Sequence, residues 1–500
     1  MSSKNTRDFI AALDLGSNSF HLIVARRNDA GYRVIDKHKE TVRLASGFDE
    51  LGNLKQEAIG KAVKALERLG ERVRKIPSSN LRIVGTNTLR KAKNADVLIE
   101  AAERVLGHSI DVIGGAEEAR LIFSGVTRVL NLEDRKYLVI DIGGGSTEII
   151  AGYCEKPELL NSLHMGCISV TLKHFPKGIL SRESFEVAHM SVAQELEPIL
   201  RSYKEYGWDE VIGSSGTILA IRDMLMKNNW DREGITIKGL NYLTEYLIEK
   251  GSTKALNLKG LSNSRKGILP GGLAILNGFF REMSIERLSV SDNALREGVL
   301  NDLVGRIKNQ DCRDITVKKL VELYELDVVQ CERVNDSAFY IFNCIKDSWG
   351  LSKIEHLCFL NWAACLSEIG LTISFSQFHK HGAYLVQNLD MPGFSEKEKK
   401  ILSLLVRAQR RKFPIREFLH LNLSEREKLV KTSVILRLAL LLHRSRSDFP
   451  FQHCGFEVCD NSLNIRFPVD WLKNHSLTLA DLRAEKEYLR VIDVDLCFNC

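Results

Sequence analysis

The sequence is poor in the features that mark secreted, membrane and disordered proteins. It has only 9 prolines in 500 residues, and 44% of its residues are hydrophobic, so long disordered stretches are not expected. The longest apolar run, residues 434–442, is interrupted by Arg437 and is too short to cross a bilayer. Residues 1–8 contain no apolar segment of the kind found in signal peptides. These absences predict a cytoplasmic protein.

Cysteine is present but lacks the spacing of a metal site. The 11 cysteines are scattered, and the Cys-x-x-Cys pair formed by Cys497 and Cys500 has no second pair to complete a zinc site. The sequence also lacks the P-loop, the His-Glu-x-x-His zinc motif and the Gly-x-Ser-x-Gly nucleophile elbow. We therefore expect reduced thiols and a chemistry outside these three classes.

Two similar glycine-containing segments, residues 9–24 and 137–150, stand out. Each contains an apolar run that ends in aspartate, followed by an apolar residue, glycine, two small residues, serine and a second apolar run. This pattern is typical of a strand, a tight turn and a second strand. The aspartates, Asp14 and Asp141, can orient a metal ion, and the glycines allow successive backbone N–H groups to converge on an anion. Two matched copies predict two phosphate-binding turns.

Three further segments carry polar residues directly after predicted strands. Residues 84–90 end in an arginine that can make a forked contact with phosphate, and the glycine-rich residues 211–217 allow a ligand to approach closely. In residues 112–122 a turn leads into a helix that begins with Glu117 and Glu118. Neighbouring residues on a helix point about 100° apart, so only one of these carboxylates can readily face a cleft. A carboxylate beside bound phosphate is suited to take a proton from water, as a hydrolase requires.

The pattern of strands and helices changes along the chain. Strands and helices alternate over roughly the first 300 residues, which is typical of a layered α/β architecture. From about residue 306 the apolar spacing becomes helical, and residues 456–468 again have a strand pattern. We therefore predict two α/β domains over residues 1–126 and 127–305, a helical domain over residues 306–455 and a small C-terminal domain over residues 456–500.

Charge is distributed unevenly, although the net charge is only +6. Residues 401–450 contain eleven lysines and arginines against four acids, in predicted helices. A solvated helix surface and a polyanion-binding surface both explain such a segment. Few aromatic residues accompany the basic ones, so nucleic-acid binding is not expected. Peripheral association with a membrane is left open.

Taken together, these segments resemble the exopolyphosphatase and guanosine-pentaphosphate phosphatase family, within the superfamily of actin, heat-shock chaperones and sugar kinases. The resemblance rests on residues 14–21, 85–90, 117–122, 141–148, 213–217 and 291–298. It implies an α/β fold with two ribonuclease-H-like (actin-like ATPase) domains, followed by an all-α HD-like domain and a small C-terminal α/β piece. It also implies a homodimer.

The resemblance implies roles for individual residues. Glu118 is the expected general base, and Asp141 and Glu148 are the expected Mg²⁺ ligands. The expected phosphate-binding residues are Ser17, Asn18, Ser19, Arg90, Gly143, Gly144, Gly145, Ser146, Gly213, Ser215 and Gly216. In the HD-like domain, residues 364–370 contain neither member of the His-Asp pair of metal-binding HD enzymes, so a second catalytic metal site is not expected there.

Two substrates fit this resemblance. Inorganic polyphosphate and guanosine pentaphosphate (pppGpp) both end in a phosphoanhydride. The three consecutive glycines at 143–145 and residues 288–296 resemble the polyphosphatase branch, although Asn293 stands where glycine is usual. We therefore expect an exopolyphosphatase that releases orthophosphate, with pppGpp 5′-phosphohydrolase as the alternative. A non-catalytic, nucleotide-sensing regulator is a further alternative, which the presence of Glu118, Asp141 and Glu148 disfavours.

Overall fold

The chain forms two compact units, an N-terminal unit (Met1–Asp311) and a C-terminal unit (Cys312–Cys500). The computed structural model describes residues 8–28, 31–128, 134–232, 234–308, 310–351, 355–449 and 451–499. Within these ranges, no helix is both long enough and apolar enough to cross a membrane.

The first sheet of the N-terminal unit has five strands in the order β3-β2-β1-β4-β5. They are β1 (Phe9–Leu15), β2 (Ser19–Asn28), β3 (Gly31–Thr41), β4 (Leu81–Gly85) and β5 (Asp111–Val112). The first three strands are antiparallel neighbours, whereas β4 runs parallel to β1 and β5 parallel to β4. Alternate residues of β1 enter different cores, with Leu13 on one face and Ala12 on the other, as the period of a strand requires.

The second sheet repeats this plan with six strands in the order β10-β11-β9-β6-β7-β8. They are β6 (Lys136–Ile142), β7 (Thr147–Tyr153), β8 (Lys156–Leu163), β9 (Glu210–Ser214), β10 (Ile235–Thr236) and β11 (Arg287–Val290). The strands β6, β7 and β8 are again antiparallel neighbours, and β9 runs parallel to β6. Both predicted hairpins are therefore confirmed, and each has a parallel strand beside its first strand.

Helices connect these strands. They are α1 (Gln56–Val73), α2 (Asn87–Lys91), α3 (Ala95–Leu106), α4 (Gly115–Thr127), α5 (Cys167–His174), α6 (Arg182–Tyr206), α7 (Ser215–Lys227), α8 (Ile237–Lys250), α9 (Asn263–Lys266), α10 (Leu269–Glu282) and α11 (Leu295–Ile307). The helices α4 and α11 pack against each other and share one hydrophobic core with strands of both sheets. Although α11 lies largely in the range predicted for the second α/β domain, it contacts β1 of the first sheet. The domain boundaries proposed from the sequence stay predictions.

The close packing of α4 against α11 depends on two glycines. A Cβ atom added to Gly298 would lie 1.8 Å from the carbonyl oxygen of Leu121, and one added to Gly125 would lie 2.1 Å from that of Ala294. Both distances are far below van der Waals contact, so neither position accepts a side chain without moving a helix. The two helices that lie between the sheets are therefore held backbone to backbone.

The C-terminal unit is mainly helical and ends in a small sheet. Its elements are α12 (Cys312–Leu323), α13 (Val328–Ile345), α14 (Glu355–Cys365), α15 (Phe378–Asn388), α16 (Glu396–Ala408), α17 (Leu423–Leu442), β12 (Gly455–Cys459), β13 (Ser462–Arg466), α18 (Trp471–Asn474), α19 (Ser476–Leu489) and β14 (Asp495–Phe498). One hydrophobic core includes residues of both the helices and the small sheet. The predicted fold class, α/β followed by a helical domain and a small α/β piece, is confirmed.

Arg437 explains why the apolar run of α17 contains a charge. The residue is 1% exposed, and its guanidinium donates to the carboxylate of Glu485 and to the carbonyl oxygens of Ala408 and Arg411. A buried charge is tolerated when it is paired and hydrogen-bonded. Arg437 therefore joins α17 to α19 and to the end of α16.

Candidate active site

The two hairpin turns lie opposite each other in the N-terminal unit, at one cavity of about 420 Å³. A Cβ atom added to Gly144 would lie 3.2 Å from the Cβ of Ser17, so the two turns almost touch. A Cβ atom added to Gly145 would lie 2.6 Å from Oδ1 of Asn87, so Gly145 packs against this neighbour and does not line the cavity. The predicted phosphate-binding residues of the hairpins that do line it are Ser17, Asn18, Ser19, Gly143, Gly144 and Ser146.

Six acidic residues line the same cavity: Asp14, Glu118, Asp141, Glu148, Asp223 and Asp292. Burial and the nearby charge of Glu118 raise the pKa of Asp14 to about 8. Burial raises the pKa of Asp141 to about 6, and burial with the charges of Glu118 and Asp141 raises that of Glu148 well above its ordinary value. The cavity therefore concentrates negative charge that a bound cation would neutralise.

The register of the second hairpin places Asp141 beside Glu148. The two residues are directly opposite each other on β6 and β7, so their side chains lie on the same face of the sheet. The hydroxyl of Ser162 donates to Oε1 of Glu148 at 2.8 Å, and the hydroxyl of Ser214 donates to Asp141. The two expected metal ligands are therefore neighbours, and a serine orients each of them.

Glu118 lies in the first turn of α4 and is held by Arg90. One guanidinium nitrogen of Arg90, Nη1, donates to Oε2 of Glu118 at 2.8 Å and to the carbonyl oxygen of Ile113 at 2.7 Å. Glu118 is buried, yet it lines the cavity. Arg90, which was expected to bind phosphate, does not line the cavity. Its two hydrogen bonds hold the Glu118 carboxylate in one direction, and its contact with phosphate stays a prediction.

The neighbouring carboxylate, Glu117, belongs to a separate ion-pair network. Arg120 donates to both carboxylate oxygens of Glu117, at 2.7 and 2.9 Å. Arg82, Arg120 and Arg306 each donate to Asp302. Burial alone would raise the pKa of Asp302, but the charges of these arginines hold it far below its ordinary range. Only one of the two adjacent glutamates therefore lines the cavity, and the other stabilises the fold.

The start of α7, directly after β9, supplies another wall of the cavity through Ser215 and Gly216. Ser215 has a φ of 86°, a left-handed conformation that is uncommon for serine. Gly213 does not line the cavity. It lies inside β9, where an added Cβ atom would lie 2.6 Å from the side chain of Leu288 and 2.7 Å from that of Ile218. In this structure the side chains of Leu288 and Ile218 leave no room for a Cβ atom at position 213.

The cavity also has a basic side that the sequence did not predict. It is formed by His21, Lys39, Arg265 and Arg296. Nη1 of Arg296 lies 3.4 Å from Nδ1 of His21. Burial and the charge of Arg296 lower the pKa of His21 to about 3, and burial with the charges of Arg265 and Arg296 lowers that of Lys39. The three crowded cations, Lys39, Arg265 and Arg296, favour the binding of an anion between them.

The acidic side has donors suited to a hard divalent cation. Among the described residues, no three His, Cys, Asp or Glu side chains converge into a metal-binding group. Mg²⁺, however, is commonly held by one or two carboxylates together with water and substrate phosphate. Asp141 and Glu148 provide such a pair, and Oδ1 of Asp14 is buried without a hydrogen-bond partner. The residues present therefore fit Mg²⁺ bound together with a phosphorylated substrate.

In the C-terminal unit, the basic segment of residues 401–450 is divided between a cavity and ion pairs. The cavity has a volume of about 960 Å³, and its basic lining consists of His379, Lys380, Arg407, Arg410, Arg411, Lys412 and Arg416. Arg407 pairs with Glu417, which also lines the cavity, whereas Arg437, Arg444 and Arg446 form salt bridges with carboxylates outside the lining. The cavity has the volume and the positive charge to bind an anion, and the choice between a solvated surface and a polyanion-binding surface stays open.

Comparison with known proteins identifies the family. The model of the Ppx/GppA phosphatase family matches residues 23–307, and that of Ppx/GppA phosphatase domain III matches residues 312–486. The chain belongs to the Ppx/GppA phosphatase family. It is 38% identical over 477 residues to the guanosine-5′-triphosphate,3′-diphosphate pyrophosphatase of Aeromonas hydrophila, covering 95% of this chain and 96% of that protein. It is 36% identical over 486 residues to the protein of that name from Pseudoalteromonas translucida, covering 97% of each.

Solved structures share the fold of this Ppx/GppA phosphatase. The exopolyphosphatase from Cytophaga hutchinsonii has a TM-score of 0.55 and 23% sequence identity, covering 60% of this chain and 98% of that chain. The Aquifex aeolicus PPX-GPPA enzyme has a TM-score of 0.50 and 24% identity, covering 59% and 98%. At these identities the likeness concerns the fold alone. Membership of the family confirms the predicted enzyme class, a phosphoanhydride hydrolase.

Proposed function

We propose that this protein hydrolyses the terminal phosphoanhydride bond of the 5′-triphosphate of pppGpp and releases orthophosphate. The observation that carries the reaction type is Glu118, held by Arg90 in a cavity that two glycine turns also line. The names of the Aeromonas and Pseudoalteromonas relatives support the nucleotide as the substrate. Exopolyphosphatase activity, which the sequence favoured, is therefore the second candidate. The homodimer stays a prediction from the sequence.

The hairpin turns are the proposed binding site of the terminal phosphate. The hydroxyl of Thr88 donates to Oγ of Ser17 at 2.8 Å, so the hydrogen of the Ser17 hydroxyl is left to donate to a phosphate oxygen. Ser19 and Ser146 supply further hydroxyl groups at the same cavity. Because these groups are positioned before substrate binds, they lose little freedom during the reaction.

Glu118 is the proposed general base. Its carboxylate takes a proton from a water molecule while the oxygen of that water attacks the terminal phosphorus. The bond between this phosphorus and the bridging oxygen breaks, and the nucleotide leaves with a 5′-diphosphate. Arg90 acts by holding the carboxylate of Glu118 in one direction, through its second hydrogen bond to the backbone of Ile113.

Asp141 and Glu148 are the proposed ligands of Mg²⁺. When bound, the cation would neutralise charge on the phosphoryl oxygens. Ser162 and Ser214 keep the two carboxylates in place. Lys39, Arg265 and Arg296 line the same cavity and offer positive charge to the remaining phosphates of the nucleotide. A guanine nucleotide phosphorylated at two positions would use these contacts fully.

The test compares orthophosphate release from pppGpp and from long-chain polyphosphate, with Mg²⁺, for wild type, Glu118→Gln and the matched control Glu117→Gln. We expect a higher kcat/KM for pppGpp, its loss in Glu118→Gln and its retention in Glu117→Gln. A higher kcat/KM for polyphosphate would move the assignment to the second candidate. If folded wild-type protein releases orthophosphate from neither substrate, the proposed hydrolysis of these phosphoanhydrides is refuted.

A further inference from the structure

Two cysteines of the C-terminal unit lie against each other where α13 and α14 meet. Cys331 is in the first turn of α13, Cys365 is the last residue of α14, and both are half-buried free thiols. The Cys331 thiol donates to the carbonyl oxygen of Cys365 at 3.3 Å, and the sulfur of Cys365 accepts from Asn335, one turn after Cys331 on α13. Both thiols therefore lie at the same junction of α13 and α14, without a covalent bond between them.

The surrounding groups make the two thiols unequal. Nδ2 of Asn335, one turn after Cys331 on α13, donates to Sγ of Cys365 at 3.2 Å. The proximity of Cys331 and the hydrogen bond from Asn335 lower the pKa of Cys365 to about 7, whereas the proximity of Cys365 and burial raise the pKa of Cys331. A thiolate is the nucleophilic form of cysteine. Cys365 is thus the more reactive thiol, and Cys331 is next to it.

An ion-pair bridge holds the same two chain segments together. Arg446 donates to Oδ2 of Asp327 at 2.6 Å and to the two carboxylate oxygens of Glu368 at 2.8 and 2.9 Å. Asp327 caps the N-terminus of α13, and Glu368 follows α14 closely in the chain. The position of the cysteine pair is therefore also held by ion pairs that do not involve the thiols.

We propose that Cys331 and Cys365 form an intramolecular disulfide when hydrogen peroxide oxidises the protein. The Cys365 thiolate attacks the peroxide, so an S–O bond forms, the O–O bond breaks, and the released hydroxide takes a proton and leaves as water. The Cys331 sulfur then attacks the sulfur of this sulfenic acid. The S–S bond forms, the S–O bond breaks, and hydroxide leaves with the proton of Cys331 as a second water. Two thiols and one peroxide thus give one disulfide and two waters.

The disulfide would link α13 covalently to α14 inside the helical unit. Such a link stabilises a fold mainly by restricting the unfolded chain between the two cysteines. In compartments that keep thiols reduced, disulfides are usually transient and redox-sensing, and this pair has the expected features of a reactive thiolate, a resolving thiol and partial exposure. None of the proposed catalytic residues takes part, so the proposal is independent of the substrate.

The test treats full-length wild-type protein with hydrogen peroxide at neutral pH, blocks the remaining thiols with N-ethylmaleimide and maps linked peptides by mass spectrometry. We expect a monomer that has lost two hydrogen atoms, a peptide pair joined through Cys331 and Cys365, and reversal by dithiothreitol. Both cysteines carrying N-ethylmaleimide after treatment would overturn the proposal, as would faster oxidation of the exposed Cys344 on α13.

Variants separate the role of Cys365, which reacts with peroxide, from that of Cys331, which resolves the sulfenic acid. In Cys331→Ser the sulfenic acid of Cys365 has no resolving thiol, so it accumulates and reacts with dimedone. In Cys365→Ser no rapid oxidation occurs. Asn335→Ala keeps both cysteines but oxidises at least about threefold more slowly at neutral pH, because Cys365 loses a hydrogen-bond donor. Cys344→Ser is the matched control and oxidises like wild type. Equal rates for Asn335→Ala and wild type, or dimedone labelling equal in Cys331→Ser and wild type, would contradict this mechanism.

Discussion

Arg90 and Glu118 form an ion pair at the edge of the cavity in the N-terminal unit, with 2.8 Å between Nη1 of the arginine and Oε2 of the glutamate. The same nitrogen donates to the carbonyl oxygen of Ile113, which anchors the pair to the strand-to-helix connection before α4. An arginine held in this way positions a carboxylate. A contact between Arg90 and phosphate, which the resemblance to the family implies, stays a prediction.

This geometry predicts the kinetic effect of Arg90→Lys. Lysine keeps the charge but cannot make both hydrogen bonds in the same fixed geometry, so the Glu118 carboxylate loses its fixed direction. We expect kcat for the preferred substrate to fall about 10- to 100-fold, with KM changed by less than about threefold. Steady-state kinetics provides the measurement. A large rise in KM at unchanged kcat would instead support the phosphate-binding role that the sequence predicts for Arg90.

Substituting the two adjacent glutamates should have opposite effects, one on activity and the other on stability. Glu118→Gln removes the proposed base and should lower kcat at least about 100-fold, with little change in the free energy of unfolding. Glu117→Gln weakens the bidentate pair with Arg120 in a buried network and should lower the free energy of unfolding of the N-terminal unit by about 1–3 kcal/mol, while most activity remains. Urea unfolding and kinetics on both variants check this. Equal loss of activity would contradict the assigned roles.

Much of the fold and part of the site were predictable because they are encoded locally. Each hairpin follows from two apolar runs around a glycine turn, and the register of an antiparallel pair then places Asp141 opposite Glu148. Likewise, helical geometry separates Glu117 from Glu118 once a helix starts just before them. These inferences need only the near neighbours of each residue in the chain.

The rest of the site is not local. Lys39, Arg265 and Arg296 reach the cavity from β3, α9 and α11, and no spacing in the sequence connects them. Asp14 was recognisable as the aspartate of the first hairpin and as a possible metal ligand. Its raised pKa, however, results from burial and from the charge of Glu118, which only the tertiary structure brings close.

Gly213 shows that a glycine in a ligand-binding pattern can have a packing role, and its contact with phosphate stays a prediction. Its segment has the glycine and serine content of a ligand-binding turn, and Ser215 and Gly216 do line the cavity. Gly213 itself is enclosed by Leu288 and Ile218, so glycine is needed there for packing. A glycine that admits a close neighbour and a glycine that admits a ligand are indistinguishable in a single sequence.

The contact between α4 and α11 predicts a strong effect of Gly298→Ala. The added Cβ atom would meet the carbonyl oxygen of Leu121 at 1.8 Å, so the helices must separate. We expect the free energy of unfolding of the N-terminal unit to fall by about 3 kcal/mol. Gly60→Ala, in α1, is the matched control: nothing lies within 4 Å of its added Cβ atom, and helix propensity should raise stability by about 0.5–1 kcal/mol. Similar stability of the two variants would contradict the close packing.

Asp14 predicts a pH dependence of stability. Its pKa is raised to about 8 in the folded protein, from an ordinary value of about 4 in the unfolded chain. Between these values the folded state holds a proton that the unfolded state has lost, so the free energy of unfolding falls as the pH rises through this window. Asp14→Asn removes this contribution. Its stability relative to wild type should therefore increase from pH 4 to pH 8, by about 1–3 kcal/mol in total.

The matched variant for Asp14→Asn is Asp302→Asn, because the pKa of Asp302 is held far below its ordinary range by three arginines despite burial. That carboxylate contributes stability above its unfolded pKa and loses it in acid, so Asp302→Asn should be less stable than wild type at neutral pH. Both variants are unfolded with urea across the pH range in the presence of a chelator, since a bound cation would favour the ionised form of Asp14. A difference between Asp14→Asn and wild type that stays constant with pH would show that Asp14 does not hold a proton in this window.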